Sequence, residues 1–136
     1  MQVENRMLVC KEKSAQSNIF FMEKSCFIWL GEMGIENPPF GSLITAIQTK
    51  YDPFPISKTL ILPQDDEIDE STGSGIGQRL SKKFGIQTFI SYNLPNSFQR
   101  AEVLMIEKLL IDILRKHFEK SSKIEVEETE ESSSLR

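Results

Sequence analysis

A chain of 136 residues has the size of one domain, long enough to build a core without staples. A net charge of −4, with 26% charged residues, argues against nucleic-acid binding driven by phosphate neutralisation, local clusters such as Arg79, Lys82 and Lys83 aside. No stretch approaches the roughly 20 apolar residues that span a bilayer, and Met1 to Arg6 lacks a signal-like apolar run, so a soluble intracellular protein is expected.

In chain order, Arg6–Glu12 and Ser17–Glu23 read as two strands around a polar turn, Lys13 to Gln16. Ser25–Gly31 is a continuous apolar run of strand length, expected to be buried on both faces or on one face and a partner. Glu32 to Pro39 is a loop, because Asn37-Pro38-Pro39 forbids regular structure. Ser42–Lys50 fits a strand or a helix; its β-branched residues and its place between strands favour the strand. Tyr51 to Pro55 is a turn, and Ile56–Leu62 a fifth strand ended by Pro63.

Gln64 to Ser74 is a polar loop with five acids between Asp65 and Glu70. From Thr72 the chain enters a short helix in which Ile76, Leu80 and Phe84 share a side, with Gly85 placed to cap it. Gln87–Leu94 alternates as a strand, with Thr88, Ile90, Tyr92 and Leu94 in one phase. Asn96 or Ser97 then caps a long amphipathic helix from Ser97 to about Lys120, its apolar face carried by Val103, Ile106, Leu110, Ile113 and Leu114. Arg115, Lys116 and Lys120 suit the negative end of the helix dipole. Residues 121–136 hold five Glu against Lys123 and Arg136 and have too little apolar content to fold, so they are expected to form a disordered acidic tail. The expected fold is α+β: one domain, 1–120, with an antiparallel β-sheet of about six strands flanked by two helices.

Candidate chemistry is thin. Gly73 to Gly77 resembles a phosphate cradle, but it is neither GxGxxG nor a P-loop, and an acidic loop precedes it. Asp65 to Glu70 lacks the Gly and the terminal Glu of a Ca²⁺ loop, which leaves a solvated charge run. The lone His117 has no nameable orienting partner, and Cys10 and Cys26 form no CxxC and read as buried thiols. Ser91 sits in no GxSxG elbow. Trp29 reads as core or as an interface anchor. No catalytic site, metal site or cofactor is expected.

Four blocks nevertheless recur in a recognisable order: Ser25–Gly31, Tyr51–Ser57, Ser71-Thr72-Gly73 with Gly77–Leu80, and Phe89–Leu94. Over roughly residues 5 to 118 they resemble the proteasome assembly chaperone 4 family, the smaller member of a eukaryotic chaperone pair. The resemblance implies a sandwich-like heterodimer with a related chaperone, the third of the set. It also implies a non-enzymatic role in which that pair binds proteasome α-type subunits while the α ring closes, in the cytoplasm and, as a second compartment, the nucleus. No nucleic acid and no membrane are implied as partners. Trp29, Phe89, Ser91, Tyr92 and Asn93 fall in the matching blocks and are expected to support the sheet and the dimer. Asp65, Asp66 and Glu67 are candidates for the ring contact on exposure and charge alone. The acidic loop, the Asn37–Pro39 loop and the Glu-rich tail depart from the pattern. Two rivals remain: a small dimerising adaptor or scaffold of another complex, and an enzyme or nucleotide-binding protein using Gly73 to Gly77.

Overall fold

Odd and even residues part company along the second strand: Ala15, Ser17, Ile19 and Phe21 are buried, while Gln16, Asn18 and Phe20 are half covered. A period of two is what a sheet covered on one face demands. The computed structural model describes residues 2–10, 12–35, 39–64 and 68–134, with side chains described as far as Glu119. Its elements are β1 (Gln2–Cys10), β2 (Lys13–Met22), β3 (Ser25–Glu32), β4 (Leu43–Ile47), β5 (Ile56–Ile61), α1 (Glu70–Phe84), β6 (Gln87–Asn93) and α2 (Arg100–Ser134). The strands form one sheet in the order β1-β2-β3-β6-β4-β5.

The sheet is mixed, where the sequence alone suggests an antiparallel one. β6 runs parallel to β3 and antiparallel to β4. The crossover through α1 is the reason. β5 and β6 are both antiparallel to β4, so the chain leaving β5 returns over the sheet through α1 and enters β6 in the same direction. A helical crossover is how chains make that return.

Both helices lie on one face. Ile76 and Leu80 of α1, with Val103, Ile106, Leu110 and Leu114 of α2, are sealed against Ile19, Ile28, Leu30, Ile90 and Tyr92. Each such aliphatic side chain contributes about 1.5–3 kcal/mol by leaving water. Two glycines one turn apart let α1 sit close. A Cβ on Gly73 would stand 2.8 Å from Tyr92 Cβ and 3.0 Å from Ile44 Cδ1, and Gly77 faces Thr88, whose hydroxyl donates to Gly77 O at 3.0 Å.

Element ends move where local polarity misleads. Lys13 to Gln16 is part of β2 rather than a turn, because Cys10 pairs with Lys13 and Leu8 with the buried Ala15. β1 accordingly begins at Gln2, not Arg6. α1 starts two residues before Thr72, capped by Asp69, whose carboxylate accepts from the Ser71 N–H at 3.0 Å. Gly85 closes it at φ 64°, a left-handed conformation that glycine adopts freely. The second helix is capped later than Asn96 or Ser97: Glu102 reaches back to the Gln99 N–H at 2.9 Å. It also runs past Lys120, since its backbone stays helical to Ser134. Glutamate is a good helix former, and extending an existing helix is far easier than starting one.

Candidate interaction surface

Register places every second strand residue on the face away from the helices. One row crosses four strands: Val3 opposes Phe20, Phe20 opposes Phe27, and Phe27 opposes Phe89. Thr45 of β4 continues it, and Ile47 opposes Ile56 alongside. Val3, Met7, Val9, Phe40, Ile47, Ile56 and Leu60 are all more than two-fifths exposed. The next rows are neutral and polar: Asn5, Asn18 and Ser91, then Gln16 and Asn93, with Trp29 and Gly31 among them. Among the described strand residues, Lys58 alone brings a charge to this face. In a chain with 26% charged residues that depletion is the mark of an interface core rather than of a solvated surface.

Part of this face is covered from within. The Trp29 ring lies flat along β3 over Gly31, where a Cβ would come within 2.3 Å of the indole. Its N–H donates to the Pro39 carbonyl at 2.9 Å, and Trp29 is only 7% exposed. Asn93 Oδ1 accepts from the Gly41 N–H at 2.9 Å, while Asn93 Nδ2 donates to Ser91 Oγ at 2.9 Å. Residues 39–42 thus cross the Trp29 end of the face, where Phe40 stacks on Phe27 of the phenylalanine row.

On the helix side, a cleft of about 440 Å³ opens between the first turns of α1 and α2. Arg79 and Arg100 both line it, and Arg79 is engaged by Glu107, with Nε to Oε2 at 2.9 Å and Nη2 to Oε1 at 2.6 Å. Asp69 and Glu102 already serve the helix starts. Gly73 and Gly77 lie inside α1 as packing residues, so they form no phosphate cradle. Among the described residues, no group of three or more His, Cys, Asp or Glu side chains is placed to hold a metal, and no helix is long and apolar enough to cross a membrane. Burial pushes the Cys26 thiol up to about 12, which keeps it protonated and unreactive.

Comparison with known proteins agrees with this architecture. The family described as Proteasome assembly chaperone 4 matches residues 16–94, from β2 to the end of β6. The chain belongs to the proteasome assembly chaperone 4 family. The mouse and human proteins named Proteasome assembly chaperone 4 are each 28% identical to it over 98 residues, covering 72% of this chain and 73% of theirs. A chain of the solved structure described as a novel chaperone complex for yeast 20S proteasome assembly shares the fold. The TM-score is 0.68 at 16% identity, over 85% of this chain and 95% of that one.

The matched span of the family holds β3 and β6 at the centre of the sheet together with the segment 39–42. Within it, the residues singled out from sequence divide by position. Phe89 is half-buried on the open face. Trp29, Ser91 and Asn93 share that face but are buried; Trp29 and Asn93 fasten residues 39–42, and Ser91 accepts from Asn93. Tyr92 points the other way, 3% exposed under α1, where burial raises its phenol to about 12. Asp65, Asp66 and Glu67 lie outside the described residues. His117 stacks on Phe21, 3.7 Å between centroids, as part of the packing at the end of the core. Sequence reasoning missed Val3, Phe20, Phe27 and Phe40 as surface residues. Their signal was the phase of alternation, which becomes readable only once the strands are in register.

Proposed function

We propose that this chaperone of proteasome assembly works without chemistry of its own, as one half of a pair whose sheets pack face to face. The related chaperone, third of the set, covers the phenylalanine row, and the pair then holds α-type subunits so that the ring closes in the correct order. The observation that carries the reading is the open face, apolar or neutral across six strands with Lys58 as its single charge among the described strand residues. Six strands about 4.8 Å apart and roughly 20 Å long offer about 500 Å² of flat face per chain. A matched pair therefore hides on the order of 1,000 Å² before side-chain relief is counted, the lower bound for a specific interface.

Binding alone can direct assembly. A body that holds two neighbouring subunits raises their effective concentration, and an ill-fitting neighbour loses by the difference in affinity. The cytoplasm, extending to the nucleus, is the compartment that goes with this role, and nucleic acid and membrane are no part of it. The adaptor reading shares the pairing face but lacks the support of the family match.

The test is co-purification of the full-length tagged protein, at mild salt, from the cells that make it, read by mass spectrometry. Proteasome α subunits with one small related chaperone, and no mature β subunits, are the expected outcome. A companion with components of some other complex would replace this reading by the adaptor. Recovery of neither would overturn both.

A further inference from the structure

The segment 39–42 is fastened at three points, two to side chains of the open face and one to the backbone of β6. The Trp29 indole N–H donates to Pro39 O at 2.9 Å, and the Gly41 N–H donates to Asn93 Oδ1 at 2.9 Å. Ser42 Oγ donates to Tyr92 O at 2.8 Å and accepts from the Tyr92 N–H at 3.0 Å. Phe40 stands between the first two fastenings. Its ring is parallel to Phe27, 3° between planes and 6.0 Å between centroids, an offset stack. Yet 51% of Phe40 remains exposed.

That combination is unusual for a stabilising contact. Half of a large apolar ring stays in water, while buried and partly buried polar groups restrain the backbone that carries it. Such restraint removes the freedom of the loop before any partner arrives, which lowers the entropy lost on binding. It leaves a rigid projection in the middle of a face that has almost no charge with which to select a partner.

We propose that the strap 39–42 is a preformed docking element: Trp29, Asn93 and Ser42 position Phe40 as a knob, and the companion chaperone receives it in an apolar recess of its own sheet. The inference rests on the pairing role proposed above. Selection is then by shape. A sheet with a large side chain opposite Phe40 cannot close on this face, whereas one with small residues there can. Phe40 and Phe27 make the contact; Trp29, Asn93 and Ser42 are positioning residues.

The experiment is a calorimetric titration of the full-length protein with the companion chaperone purified from the same cells, using wild type, Phe40→Ala, Asn93→Ala and the double variant. Phe40→Ala is expected to weaken pairing about 30-fold, the level of an interface hot spot, with an unchanged melting temperature. Asn93→Ala weakens it roughly 10-fold, and the double variant is no weaker than Phe40→Ala, because a loosened strap has nothing left to present. Trp29→Phe, which loses the indole N–H but keeps a ring, repeats the Asn93→Ala result should that variant fold poorly. Wild-type pairing that Phe40→Ala leaves unchanged, or losses that simply add, would overturn the strap and spare the pairing role. Failure of the wild type to pair at all would overturn both.

Discussion

Phe27 and Ile28 are consecutive in β3 and meet opposite fates. Ile28 is fully buried beneath the helices, whereas Phe27 is half covered and stacks on a ring that is itself half in water. The contrast runs across the sheet. The helix face is largely aliphatic, with Ile19, Ile28, Leu30, Ile44 and Ile90; the open face carries Phe20, Phe27, Phe40 and Phe89 beside Asn18 and Ser91. Both faces carry large apolar side chains, so hydrophobicity alone does not separate the core from the proposed pairing face. Aromatic content, neutral polar neighbours and missing charge do.

The strongest way to break the comparison is to place one charge on each face of the same strand. Ile90→Asp buries a carboxylate at the centre of the core, an unpaired charge whose cost exceeds about 4 kcal/mol, and the chain should lose its cooperative thermal transition. Phe89→Asp, one residue earlier, should keep the fold by circular dichroism and abolish pairing in gel filtration with the companion. If both variants unfold, the open face belongs to the core of the single chain.

A smaller effect sharpens the account of α1. Gly73→Ala drives a methyl into Tyr92 and Ile44 and should cost about 1–3 kcal/mol in denaturant unfolding. At Gly75 the nearest atom is Arg79 Nη1 at 3.0 Å, the end of a side chain that can give by a few tenths of an ångström, so Gly75→Ala should cost less than Gly73→Ala, within about 1 kcal/mol of wild type. Equal losses at the two positions would contradict the close approach of α1 to the sheet.

The smallest effect concerns the start of α1. The Ser71 hydroxyl, opposed by slight burial and helped by the Ser71 and Thr72 N–H groups, holds the Asp69 carboxyl below its ordinary value. A depressed carboxyl stabilises the fold above the unfolded value, about 3.9, and that contribution is lost as pH falls through the folded value. Melting temperature should therefore dip in this acid range for the wild type relative to Asp69→Asn, which caps without titrating. Asp69→Ala should cost about 1 kcal/mol at neutral pH. Parallel pH profiles for wild type and Asp69→Asn would remove Asp69 from the cap.

Much of the fold was legible because it is written locally. The alternation in 87–94, the run 25–31, the helical spacing of Ile76, Leu80 and Phe84, and Gly85 each report on neighbours a few residues away. The hairpin of β1 and β2 was misread by several residues because Lys13, Ser14 and Gln16 look like a turn, while the ladder that holds them is set by Leu8 and Ala15. The candidate site was legible only as a set of blocks. Trp29, Ser91, Tyr92 and Asn93 could be marked, but Tyr92 belongs to the opposite face, while Trp29 and Asn93 hold the strap and Ser91 backs Asn93.

By itself, then, the sequence determined the order of strands and helices, the Gly85 cap that ends α1, the apolar stripe of α2 and the family blocks, since these depend on spacing along the chain. The tertiary structure alone decided that β6 inserts parallel to β3, that both helices share one face, and that residues 39–42 hold Phe40 over Phe27. Those outcomes depend on pairings between residues far apart in sequence. A strand with two apolar phases carries no local mark of which one its own helices will cover.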